Sequence, residues 1–115
     1  MPKIRRLRAQ AFQAQHGLCC YCRLPMWLAS PAEVAHPGLR PSTLAPLRAT
    51  AEHLVARQDG GPDSAGNIAA ACWLCNTRRH KRATPLCPEL YRELVRRRMA
   101  RGKWHAPALH ALPLA

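Results

Sequence analysis

Four of the six cysteines form two Cys-x-x-Cys pairs, Cys19 with Cys22 and Cys72 with Cys75. Two-residue spacing lets both thiolates of a pair reach one ion at about 2.3 Å, and two pairs complete a tetrahedral Zn2+ site. Four thiolates leave no open position, so this zinc is expected to be structural. Nothing marks the chain for export, and without an oxidising compartment such pairs read as metal ligands and not disulfides. Cys20 is a poorer alternative to Cys19, because only one residue separates it from Cys22. Cys87 has no partner on this reading and is expected to be a buried or idle thiol.

Between the pairs lies a second set of reactive side chains: Glu52 and His53, then Asp59-Gly60-Gly61, Asn67, Asn76, Arg79 and His80. A neutral imidazole with a pKa of about 6.5 can take a proton from water near neutral pH. Asn76 and His80 are four residues apart, so on a helix they share one face and could approach one ion. Read singly, each residue has a plainer role. Glu52 could pair with a surface Arg, Asn67 could be a turn residue after Gly66, and Asn76 could cap a helix. A lone histidine is usually an ordinary surface or core residue, and His16, His36, His105 and His110 are read that way.

Taken in order, these residues resemble the HNH endonuclease family. Its ββα-metal motif has an acidic residue or His followed by His on the first strand, then a Gly-Gly turn, a central Asn, and a Cys-x-x-Cys-His/Asn helix start. The resemblance covers roughly residues 19 to 82. It implies that His53 takes the proton from the attacking water, while Glu52 binds a divalent ion together with Asn76. His80 is a second-rank ligand, and Asn67 braces the loop that orients the base. Because Asn stands where some members have His, a hard ion such as Mg2+ or Mn2+ is expected at this second site. The resemblance further implies hydrolysis of DNA phosphodiester bonds to 5′-phosphate and 3′-hydroxyl ends. Adjacent strand residues point to opposite faces, so Glu52 and His53 can share a site only near a strand end.

The elements that must position these residues are partly legible. Ile4, Leu7, Ala11 and Phe12 make one helical stripe over residues 3 to 16, with Gly17 placed to end it and Lys3, Arg5, Arg6 and Arg8 largely off the stripe. Residues 18 to 24 look like a metal knuckle. Residues 25 to 49 hold five prolines and are expected to form an irregular insertion. Thr50 to Arg57 reads as a strand, Asp59-Gly60-Gly61-Pro62 as a turn, and residues 67 to 71 as a second strand, followed by a helix to Arg82. A last helix should follow Pro85 or Pro88 with Leu90, Tyr91, Leu94 and Val95 on its apolar face. Its last turns carry Arg96, Arg97, Arg98 and Arg101. The expected fold is therefore a small α+β domain. Its ββα-metal core is stapled by a four-cysteine zinc site and has flanking helices. The basic N-terminal helix spans 1–17, the nuclease domain 18–103, and a weakly ordered tail 104–115.

The 115-residue chain is too short for several cores, and with one Phe, two Tyr and three Trp its core must be thin. Of the three Trp, Trp73 is expected to cover the zinc site. The formal net charge is +12, and every basic residue except Lys3, Lys81 and Lys103 is Arg, whose planar fork suits phosphate. A polyanionic partner follows, with DNA the first choice and Arg78, Arg79, Lys81 and Arg82 the expected phosphate contacts. No apolar run is long enough to span a membrane, and no long basic amphipathic helix offers a membrane surface. The composition suits a bacterial or phage-infected cytoplasm, where packaging machinery or other proteins could direct a small nuclease. The rival reading is a non-catalytic, zinc-dependent nucleic-acid-binding module, which leaves Glu52, His53, Asn67 and Asn76 without a role.

Overall fold

A computed structural model describes residues 2–34 and 36–113. Helix α1 (Lys3–Ala14) buries Leu7 and leaves Lys3, Arg5 and Arg6 in solvent. It ends at His16 and Gly17, both at positive φ, and the Gly17 amide returns to the Phe12 carbonyl at 2.9 Å. The Phe12 ring lies so close to Gly17 that an added Cβ would stand 3.2 Å from it, so glycine suits both the backbone and the packing here.

Two strands follow the knuckle, β1 (Ala49–His53) and β2 (Ile68–Cys72), paired antiparallel with Ala49 opposite Cys72 and His53 opposite Ile68. The first strand is shorter than the expected 50–57, because the chain turns away after His53. A two-stranded sheet is weak alone, and α1 packs across it. The Gln15 side chain also clasps the free edge of β2, donating to the Ala70 carbonyl at 2.8 Å and accepting from the Ala70 amide at 2.9 Å. β2 runs directly into α3 (Trp73–Arg79), with Cys72 as the residue that caps it. The later helix, α4 (Pro88–Ala100), buries Tyr91 and Val95, whereas Leu90, expected on its apolar face, is exposed.

The core is small and built from unusual material. Fully buried alanines (Ala49, Ala70, Ala71) and the four paired cysteines sit among Leu44, Leu47, Tyr21, Tyr91 and Trp104. The Tyr21 and Tyr91 rings meet edge to face at 4.8 Å between centroids.

Two parts of the chain depart from expectation. The proline-rich segment is no loose insertion. It contributes Met26, Leu44 and Leu47 to the core and forms the short helix α2 (Pro41–Leu44). Trp27 then joins it to β1, exchanging backbone hydrogen bonds with Leu47 and Ala49 at 3.2 and 2.8 Å. The tail likewise packs, with Trp104, Leu109 and Leu112 buried; Leu114 and Ala115 of the expected tail lie outside the described residues. In both cases a few large apolar residues among prolines decide the outcome, because so thin a core recruits whatever apolar surface the chain offers.

Candidate functional site: a cysteine cluster and a carboxylate–histidine cleft

Cys19 and Cys22 come from the knuckle after α1, Cys72 from the end of β2, and Cys75 from the first turn of α3. Their four sulfurs lie within 4.8 Å of one another, all are buried, and none is in a disulfide. Cys22 Sγ and Cys72 Sγ are 3.9 Å apart, close to the roughly 3.8 Å edge of a tetrahedron with Zn–S bonds of about 2.3 Å. Backbone amides point at the sulfurs: Tyr21 and Cys72 donate to Cys19 Sγ at 3.4 and 3.3 Å, and Cys75 donates to Cys72 Sγ at 3.4 Å. Burial opposes ionisation of Cys19, but hydrogen bonds from the neighbouring sulfurs outweigh it and hold its thiol well below the ordinary range. Burial, together with the Cys19 and Cys22 sulfurs, pushes Cys72 and Cys75 well above it. Four buried thiolates this close together need a cation among them. The cluster could hold a structural metal such as zinc.

Cys20, the poorer alternative to Cys19, stands outside the cluster, with the Cys19 sulfur and burial raising its thiol pKa, and Cys87 is exposed and not buried. Trp73, expected to cover the metal, is 42 % exposed; Trp104 lies against the sulfurs instead, donating its indole Nε1–H to Cys75 Sγ at 3.3 Å.

On the same β1–α3 frame lies an open cleft of ≈ 250 Å³ whose lining includes Glu52, His53, Arg57, Asn76 and His80. His53 is the last residue of β1, where the pleat ends, so it and Glu52 border one cleft although they are neighbours in a strand. Glu52 is fully buried. Its Oε1 accepts from His80 Nε2 at 2.8 Å, while Oε2 has no hydrogen bond and faces Arg79 at 3.4 Å. A buried carboxylate oxygen without a donor, beside an imidazole and an amide, is a donor set that suits a hard cation. The Asn76 side chain donates to Thr50 Oγ1 and to the Ala51 carbonyl at 3.0 and 3.2 Å, which directs its oxygen away from those acceptors.

Asn67 sits where the 54–67 loop rejoins β2. Its Oδ1 accepts from the Val55 amide at 2.8 Å, and its Nδ2 donates to the Val55 and Pro62 carbonyls, both at 3.0 Å. It spans the loop from side to side and has no place in the cleft lining. Gly61 is the other constraint: a Cβ there would lie 1.7 Å from the Val55 carbonyl oxygen, so no side chain fits.

Among the expected phosphate contacts, Arg78, Lys81 and Arg82 are exposed. Arg79 is a correction. It is buried, and its guanidinium donates to the carbonyls of His53, Leu54 and Leu86 at 3.1, 3.0 and 3.0 Å. Three of its N–H groups are taken up by backbone and the guanidinium stands 3.4 Å from Glu52 Oε2, so burial, and not phosphate, is its setting.

Sequence reasoning missed Asp63, Arg57 and His105. Asp63 Oδ1 lies 2.7 Å from His53 Nε2, and Arg57 Nη2 bonds both Asp63 oxygens at 3.3 and 3.2 Å. The His53 hydrogen bond, with Arg57 assisting, holds the Asp63 carboxyl below the usual range. The available signal was scarcity: an acidic side chain is notable in a chain with only six. His105, read as ordinary, lies at the cysteine cluster.

Among the described residues, no helix is long and apolar enough to cross a membrane. No curated protein and no solved structure matches the chain. The resemblance read from the motif is nevertheless borne out: residues 42–82, which carry both strands, the bracing Asn67, α3 and the whole carboxylate–histidine cleft, match the family model described as HNH endonuclease, and they do so on a small α+β frame consistent with a ββα-metal fold.

Proposed function

We propose that the chain is a metal-dependent endonuclease that hydrolyses DNA phosphodiester bonds, with His53 as general base. The observation that carries this reading is the convergence of Glu52, His53, Asn76 and His80 on one open cleft.

An Asp63 carboxylate 2.7 Å from His53 Nε2 can only accept, so in this reading the ring proton is on Nε2, donating to Asp63. Arg57 Nε, 3.2 Å from the same nitrogen, is then a neighbour, and Arg57 Nη2 is the group that grips Asp63. That tautomer leaves the lone pair on Nδ1 to accept a proton from water. Asp63 thus positions the base, and Asn67 and Gly61 hold the loop that carries Asp63. The water oxygen bonds to phosphorus, its proton passes to Nδ1, and the P–O3′ bond breaks, with the 3′ oxygen protonated from solvent. A divalent ion such as Mg2+ or Mn2+, held by Glu52, Asn76 and His80, would supply positive charge at the phosphoryl and leaving oxygens. Arg78, Lys81 and Arg82, exposed on and just beyond α3, would hold flanking phosphates. The zinc held by Cys19, Cys22, Cys72 and Cys75 would anchor that helix.

Cleavage of supercoiled plasmid tests the reading. Nicking should require added Mg2+ or Mn2+ and should fall about 10²- to 10⁴-fold in His53→Ala, the range of general-base contributions. Nicking that survives His53→Ala removes the assigned base. Salt-sensitive DNA binding without cleavage under any metal would instead identify a non-catalytic, zinc-dependent nucleic-acid-binding module.

A further inference from the structure

The cysteine cluster has a polar cover that its four ligands do not explain. Trp104 and His105 reach it from beyond α4. His105 Nε2 lies 3.4 Å from Cys72 Sγ and 3.6 Å from Cys22 Sγ, and Trp104 Nε1 donates to Cys75 Sγ at 3.3 Å. His105 sits at φ 65, a conformation that disfavours a side chain, and its Nδ1 is buried without a hydrogen-bond partner. The backbone is therefore held in a costly shape that delivers one ring nitrogen to two sulfurs.

We infer that Trp104 and His105 form a hydrogen-bonding clasp that donates two N–H groups to the metal-bound thiolates and slows loss of the zinc. The inference rests on the zinc reading of the cluster. Metal-bound thiolates carry no proton and only accept, so the proton between ring and sulfur must be on Nε2. With the proton on Nδ1 instead, a buried donor would lack a partner and the Nε2 lone pair would face two thiolates. Four thiolates around Zn2+ leave a net double negative charge in a buried place, and N–H groups aimed at sulfur reduce that charge where it accumulates. They also lower the sulfur nucleophilicity on which protonation, oxidation and ligand exchange depend.

The clasp is itself held. His110 Nε2 donates to the Trp104 carbonyl at 2.7 Å, and Leu109 and Leu112 are buried behind it. The guanidiniums of Arg78 and Arg98 stand 4.7 and 5.7 Å from the Trp104 ring centroid, adding positive charge beside the anionic cluster.

The test begins with zinc content of the purified full chain, followed by zinc release to excess pyridylazoresorcinol with and without hydrogen peroxide. His105→Phe keeps a ring and removes the donor, while His105→Gln restores an N–H at similar reach. Release should be about tenfold faster in His105→Phe and return toward wild type in His105→Gln, at matched far-ultraviolet circular dichroism. The cobalt-substituted His105→Phe protein should show its sulfur-to-metal charge-transfer band at lower energy. Should either variant fail to fold, 113Cd-substituted wild-type protein provides the same decision. Scalar coupling from 113Cd to the His105 Nε2–H and Trp104 Nε1–H protons supports the clasp, and its absence at both overturns it. One zinc per chain with wild-type release in His105→Phe overturns the clasp alone. A wild-type protein without zinc overturns the zinc reading and the clasp with it.

Discussion

The cysteine cluster and the carboxylate–histidine cleft share one frame and differ in almost everything else. Cys72 and Cys75 flank the start of α3, and Asn76 and His80 follow from the same helix and its end, so one short element serves both. The cluster is closed, with four buried sulfurs and donors on several sides. The cleft is open and polar, and it retains a buried carboxylate oxygen with no donor. A site whose every position is filled can only hold structure together. A site with an unfilled position can take in a reactant. The difference implies an asymmetric dependence: damage at the cluster should reach the cleft, and damage at the cleft should spare the cluster.

If the cluster holds zinc as proposed, removing that metal would be the hardest blow to the comparison. Binding at structural zinc sites is worth about 10–16 kcal/mol and counts as folding energy. Stripping the metal from Cys19, Cys22, Cys72 and Cys75 should therefore unfold the domain, seen as loss of the cooperative thermal transition and of nicking together. A metal-free protein that keeps its transition would separate the two regions. Next is Arg79→Ala, which removes the cation beside fully buried Glu52 and three bonds to backbone carbonyls. Loss of one partner of a buried ion pair costs about 3–5 kcal/mol. Chemical denaturation should show a loss of that size with zinc content still one per chain, because the cluster does not depend on this arginine. The mildest is Asp63→Ala, which should lower kcat for nicking about 10- to 100-fold, as loss of a positioning partner does, with KM and thermal stability nearly unchanged. An unchanged kcat would free His53 from Asp63 and restrict the cleft to the residues of the motif.

How much of this was legible depends on how local each feature is. The two Cys-x-x-Cys pairs and the stop at Gly17 follow from spacing and backbone chemistry within a few residues, whereas the strand end at His53 was only a condition the motif imposed, since the strand itself was expected to run to Arg57. Asn67 was read as the loop brace, and its three bonds across the 54–67 loop have that geometry. Arg79 was misread because, in sequence, one arginine in a basic run looks like its neighbours. Only the approach of Glu52 and the free carbonyls after β1 draws it inward. Asp63 was hidden because its partner is ten residues away across an irregular loop, and loop geometry leaves no periodic trace. The zinc cover was assigned to Trp73 by proximity in sequence. At the start of α3 that side chain faces solvent, and Trp104, far along the chain, takes the place.

The sequence by itself determined the ligand types, the order of motif residues and the strongly basic character, because thiolate, imidazole and guanidinium chemistry belongs to the residue wherever it stands. Tertiary structure decided which arginine is buried against Glu52, which carboxylate meets His53, and which histidine and tryptophan close over the sulfurs. Those choices depend on distances between segments far apart in the chain. In a domain with so little apolar material, it is the packing of that material around the cysteines that sets those distances.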